Sequence, residues 1–292
     1  MEPVREPVLT HLLAKKFLKD SQTPKPTAFN TIMRYSGAFG CTRQMAYDYF
    51  EAEPSNPTPV TGAWVMNLGT LIHEALQREI AAFDPLARFE EPSQVNQYIS
   101  GHTDGLIDLK RWGWCLFELK TMGEFPFKKA MGYKGMFNSA QKVAAQGPSL
   151  SAITQAGMNA LALEEKHGIR IELLIMGVIT YEPVKQGAAE AMGIDDLDRF
   201  MGEFHIEREY WEPMARAEIE RLTEAAVEIE EGYLPQRFAR DDNGDEIRLY
   251  ADSSNWRCDP AYCKYRDLCE SDGEGLLHKK DSYLQIRSKS EA

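Results

Sequence analysis

The sequence predicts a mixed α/β domain wrapped in helices, and three observations predict it. The elements run helices, strands, helix, strand, helix. Over residues 103–120 the hydrophobic period falls from that of a helix to that of a strand. Residues 171–181 are nearly all apolar, as a central strand buried on both faces requires. The chain has 292 residues, 43% hydrophobic and 27% charged, so one large core forms without disulfide staples and overall disorder is excluded.

Each element has its own signal. Residues 8–19 have helical spacing, and residues 21–26 break it. A second helix is expected over residues 41–50, and the three prolines in residues 54–59 make a loop. Over residues 67–83, Leu68, Leu71, Leu76, Ile80 and Phe83 follow an approximately helical period, with His73 at the edge of the stripe. Residues 103–109 and 114–120 read as strands around a turn at 110–113, helped by Gly113. Residues 126–133 read as a helix with Pro126 at its first position, where a missing N–H costs nothing. Residues 150–166 form the next helix. Residues 197–231 read as one long helical region interrupted at Pro213 and capped by Gly232. The expected organisation is a single domain over 1–278 with a polar tail over 279–292.

Composition narrows the function. No run approaches the roughly 20 apolar residues that span a bilayer. The acidic start resembles no secretory signal, so a cytoplasmic location is expected. In that setting the five cysteines are core residues or metal ligands. The net charge of −12 excludes a wholly basic nucleic-acid coat but not a local patch. Such a patch lies between Lys120 and Gln146, where five lysines (Lys120, Lys128, Lys129, Lys134, Lys142) face one acid, Glu124.

The hairpin carries the first chemical signal. Residues two apart on a strand share a face, so Glu118 and Lys120 point one way and Phe117 and Leu119 the other. A turn centred at residue 111 sets Asp104 opposite Glu118, and one centred at 112 sets it opposite Lys120. Either way, two carboxylates and an ammonium cluster, with Cβ atoms about 4.5–5.5 Å apart across the strands. Asp108 shares the face of Asp104 and is the alternative carboxylate. Paired carboxylates suit a hard divalent cation, which activates water and neutralises charge on a phosphodiester. The lysine would orient that water or stabilise the transition state.

The second signal is Cys258, Cys263 and Cys269, three cysteines in twelve residues, which suggests a metal site. Cys41, far upstream, is the candidate fourth ligand. Cys115 lies mid-strand and reads as structural.

In this order, Gly69…His73, Gly101-His102-Thr103-Asp104, Glu118-Leu119-Lys120-Thr121 and Gln155 resemble the PD-(D/E)XK nuclease superfamily, particularly its RecB-type branch. The resemblance implies a restriction-endonuclease-like central mixed sheet flanked by helices. It implies His73, Asp104 and Glu118 as ligands of Mg²⁺ or Mn²⁺, Lys120 as the catalytic lysine, and Gln155 orienting it or contacting DNA. It favours Asp104 over Asp108. The tyrosine usual four residues after the glutamine is Asn159 here. One upstream and three clustered cysteines resemble the iron–sulfur subset of these enzymes, the CRISPR-adaptation exonucleases and AddB-type nuclease domains. That implies a [4Fe–4S] cluster on Cys41, Cys258, Cys263 and Cys269, clasping the helical N- and C-terminal regions. The four residues between Cys258 and Cys263, where two are common, leave zinc as the alternative.

The expectation is a metal-dependent DNA exonuclease acting on single strands or ends. Its rivals are a non-catalytic binding module of the same fold and a zinc-stabilised endonuclease. The expected partner is DNA, with a recombination or CRISPR-adaptation protein as a second one. Lys128, Lys129, Lys134 and Lys142 would line the DNA path, with Phe125, Phe127 and Tyr133 stacking on bases. No Gly-x-x-x-x-Gly-Lys-Ser/Thr loop is present, so no P-loop motor is expected.

Overall fold

A computed structural model describes residues 29, 31–135, 140–249, 256–260 and 262–271. The helix expected over 8–19 and the tail from Lys279 lie outside the described residues.

The chain is a mixed α/β structure. Its strands are β1 (Met33–Arg34), β2 (Glu91–Asn96), β3 (Ile99–Thr103), β4 (Gly105–Leu109), β5 (Gly113–Met122), β6 (Tyr133–Lys134), β7 (Gln141–Lys142), β8 (Ile171–Thr180), β9 (Met201–Glu207), β10 (Phe238–Arg240) and β11 (Glu246–Arg248). Its helices are α1 (Thr42–Tyr49), α2 (Val60–Phe83), α3 (Glu124–Met131), α4 (Leu150–His167), α5 (Gln186–Met192), α6 (Arg208–Glu230) and α7 (Arg266–Ser271). No helix among the described residues is long and apolar enough to cross a membrane.

The central sheet has the order β4-β5-β8-β9. β5 pairs antiparallel with β4 and parallel with β8, and β8 pairs antiparallel with β9. The apolar run at 171–181 is the interior strand β8, and all but Glu172 of its residues are buried. One face of β5 and β8 carries Cys115, Phe117, Leu119, Leu173, Ile175 and Ile179, packed on Ile72, Leu76 and Ile80 of α2. The other face carries Leu116, Leu174 and Met176, packed into the cluster that holds Met158 of α4 and Trp211 of α6. Of the expected α2 stripe, Leu76 and Ile80 pack on the sheet beside Ile72, whereas Leu71 and Phe83 are exposed. A smaller sheet, β1-β3-β2, contacts α4.

Four expectations need correction. The strand expected over 103–109 is divided: Thr103 ends β3, Gly105 begins β4, and Asp104 is the bend between the two sheets. The α2 helix begins at Val60, after Pro59, rather than at residue 67. Pro126 is the third residue of α3, not the first, and still falls among the N–H groups that lack an intrahelical partner. Residues 197–231 are not one helical region. Met201–Glu207 is edge strand β9, with Phe204 and Ile206 packed against the core and Glu203, His205 and Glu207 exposed. Its period of two is the strand signal. Pro213 lies inside α6 without ending it, and Gly232 follows the helix with φ +88°.

Candidate active site and thiol pocket

β5 presents Glu118 and Lys120 to the face covered by α4. The β4–β5 register, with Gly105 beside Phe117, centres the turn on residue 111 and brings Asp104 across from Glu118. Asp104 Oδ2 accepts a hydrogen bond from the Leu119 backbone N–H at 2.7 Å. Asp104 Oδ1 is 3.5 Å from His73 Nδ1, which α2 delivers from the far side of the sheet. The bend between sheets thus lets one carboxylate reach both the β5 backbone and a helix.

Glu118 is almost completely buried, at 1% exposure. Its Oε1 accepts from Lys120 Nζ at 2.7 Å and from Gln155 Nε2 at 2.9 Å, and Lys120 Nζ also donates to Gln155 Oε1 at 3.0 Å. Glu118 Oε2 is buried with no hydrogen-bond partner among the described residues. A buried carboxylate oxygen left so is costly unless something else binds it. Burial lifts the Glu118 carboxyl above the usual carboxylate range, against the pull of the Lys120 ammonium. Burial alone would lower Lys120, but the Glu118 charge, its hydrogen bond and the Asp104 charge together outweigh that and raise the lysine, which stays charged.

Two glycines explain how closely these elements approach. A Cβ at Gly69 of α2 would stand 2.8 Å from Thr121 Oγ1, so the helix lies directly against the end of β5. A Cβ at Gly101 would stand 2.4 Å from the Tyr35 ring, which is buried beneath β3.

Several positioning residues were not legible in the sequence. Gln77, one turn beyond His73, donates to the Asp104 carbonyl at 3.1 Å and to Glu90 Oε1 at 2.9 Å. Its spacing of four from His73 was an available signal. Asn159 is fully buried; its Nδ2 donates to the His102 carbonyl at 3.1 Å and its Oδ1 lies 3.1 Å from Ser93 Oγ. It therefore fastens α4 to the segment leading into Asp104.

The lysine patch is only partly available. Lys129, Lys134 and Lys142 are exposed, and Lys142 lies over the Tyr133 ring. Lys128 is half-buried and paired with Glu124 at 2.5 Å. Phe125 is exposed, but Phe127 and Tyr133 are core residues and cannot stack on a base. Their apolar packing against Val178 took them inward.

Four of the cysteines border one pocket although more than 200 residues separate Cys41 from the others. Cys41, Cys258, Cys263 and Cys269 line one pocket with Gln44, Arg237, Arg257 and Arg266 among its other walls. Cys258 and Cys263 are buried, and Cys41 and Cys269 half-buried. Burial pushes the Cys41 thiol up to about 12 and Cys258 to about 11, so as bare thiols they are neutral near pH 7. A metal would bind with loss of those protons. Cys115 is fully buried in the face of β5 that packs on α2, a structural cysteine.

Among the described residues, no three His, Cys, Asp or Glu side chains stand close enough together to hold a metal ion. The donor chemistry still suits two different groups. Hard carboxylate oxygens, one of them orphaned, suit Mg²⁺ or Mn²⁺. Four thiols suit iron–sulfur or zinc.

No family model and no curated protein matches the chain. A solved structure described as the crystal structure of SSO0001 is similar at 17% identity and a TM-score of 0.49, over 92% of this chain and 98% of that one.

Proposed function

We propose that the chain is a divalent-metal-dependent deoxyribonuclease of the PD-(D/E)XK superfamily with a restriction-endonuclease-like core. It would be an exonuclease on single-stranded DNA or DNA ends. The observation that carries this reading is the convergence of His73, Asp104, Glu118, Lys120 and Gln155, with Glu118 Oε2 buried and unsatisfied among the described residues. The antiparallel β4–β5 hairpin, followed by β8 parallel to β5, supports it.

Asp104, Glu118 and His73 would hold Mg²⁺ or Mn²⁺, which supplies an activated water and charge neutralisation at the phosphodiester. Lys120 is anchored by Glu118 and Gln155 and keeps a third N–H for the attacking water or a phosphate oxygen. Gln155 acts through that lysine. Lys129, Lys134 and Lys142, with exposed Phe125, would guide the strand. Cys41, Cys258, Cys263 and Cys269 would hold a [4Fe–4S] cluster as a structural clasp, with zinc the alternative.

The test incubates end-labelled linear single-stranded DNA and closed circles with the protein in Mg²⁺, Mn²⁺ or EDTA, beside Lys120→Ala. Metal-dependent loss of linear DNA alone, abolished by the substitution, is the expected result. Cutting of circles would make the enzyme an endonuclease. Intact DNA in every lane, from protein with its thiol site filled, would overturn the reading in favour of a binding module.

A further inference from the structure

We propose that Arg237 is a positioning residue of the thiol pocket, where its guanidinium hydrogen-bonds the Cys269 sulfur and raises the cluster's reduction potential. The inference rests on the iron–sulfur part of the function proposed above. Arg237 is 4% exposed, and a charge so buried needs a partner. Its Nε donates to Cys269 Sγ at 2.9 Å, and its Nη2 donates to the Cys269 carbonyl. The fork therefore grips the sulfur and the backbone of one residue, which sets the direction of that sulfur.

The arginine is itself held. Its loop is clamped on one side by α1: Arg43 Nε donates to the Pro235 carbonyl at 2.9 Å and Thr42 Oγ1 to the Gln236 carbonyl at 2.8 Å. On the other side, the Leu249 N–H donates to the Arg237 carbonyl at 2.7 Å. Arg237 thus ties the segment after Cys41 to Cys269 through protein alone. The other two arginines of the pocket are placed differently. Arg257 lies 3.6 Å from Asp242, and Arg266 pairs with Glu270 at 2.7 Å. Arg237 directs its Nε at the Cys269 sulfur.

Hydrogen bonds to cluster sulfurs are one of the levers by which a protein sets an iron–sulfur potential. Reduction adds one electron, and so one negative charge, to the cluster and its thiolates. A cationic donor on sulfur stabilises that form more than the oxidised one.

The experiment compares the full chain, purified without oxygen, with Arg237→Lys, Arg237→Gln and Arg257→Gln. Iron per chain is measured, and the midpoint potential is read by titration with dithionite through mediator dyes. The expected result is a lower potential in Arg237→Gln, an intermediate one in Arg237→Lys, and a smaller shift in Arg257→Gln. If the glutamine variant does not fold, Arg237→Lys carries the test alone. A native potential in Arg237→Lys or Arg237→Gln at native iron content overturns the proposal. An equal shift in Arg257→Gln also overturns it, because a general field would then suffice. Native protein that holds zinc and no iron removes the iron–sulfur reading itself, a failure distinct from a cluster whose potential ignores Arg237.

Discussion

Glu118 divides its work between its two oxygens. Oε1 anchors Lys120 and Gln155, and Oε2 is buried with no hydrogen-bond partner among the described residues. Gln155 bridges Glu118 and Lys120, so on the proposed function Gln155→Ala should lower kcat by more than its loss of one donor to Glu118 lowers the melting temperature. Steady-state kinetics beside a thermal melt checks this, and a large fall in melting temperature would make the residue structural. Asn159 is the opposite case. Asn159→Ala leaves the His102 carbonyl without its buried donor, at a cost of about 1–3 kcal/mol, readable by urea unfolding. Away from the site, burial would raise the Glu91 carboxyl, but Lys166 and His167 outweigh it and hold it below its ordinary 4.5. A depressed folded value gives stability that is complete above the ordinary value and lost as pH falls through and below it. Glu91→Gln should therefore flatten the acid side of the stability curve, measured as urea midpoints from neutral pH downward.

At the scale of elements, what was legible followed from hydrophobic periodicity. The run of β8 and the alternation of β5 expressed burial directly, as did Leu76 and Ile80 of the α2 stripe but not its exposed Leu71 and Phe83, and the turn centre at 111 is one of the two that the sequence allowed. The hairpin site was legible for the same reason, since charges on a strand flanked by Phe117 and Leu119 must face something other than that core. β2 was not legible. Its residues, Glu-Pro-Ser-Gln-Val-Asn, hold one apolar side chain, and the strand exists through pairing with β3 and through Asn96, whose side chain accepts from the Tyr98 and Ile99 N–H groups. β9 did alternate, but the long helical pattern after it masked a seven-residue strand. Arg237 had no signal at all, because its role depends on Cys269 arriving from another part of the chain. The contact of β3 with Tyr35 gives a test at this scale. Gly101→Ala drives a methyl into the buried Tyr35 ring and should cost about 1–3 kcal/mol in a denaturant titration.

At the scale of the whole molecule, the four-cysteine pocket joins the region before α1 to the region after β11. A group bound only by the folded chain stabilises it by mass action, so if the proposed cluster fills this pocket, stripping it should lower the melting temperature of the domain. Cys41→Ser should do the same, with reduced metal content, while the β4–β5 hairpin keeps its residues. Calorimetry of native, stripped and substituted protein checks this. An unchanged transition would make the pocket an accessory.

The placement of β5 also bears on how the protein is made. Every residue of the candidate catalytic cluster has been synthesised by Gln155, yet the parallel neighbour that flanks β5 ends only at Thr180, and β9 closes the sheet later still. A nascent chain stalled before β8 therefore holds all the reactive groups and the β4–β5 hairpin, but not the two strands that complete the sheet. The order of synthesis thus leaves the candidate cluster on a half-built sheet until β8 and β9 have emerged.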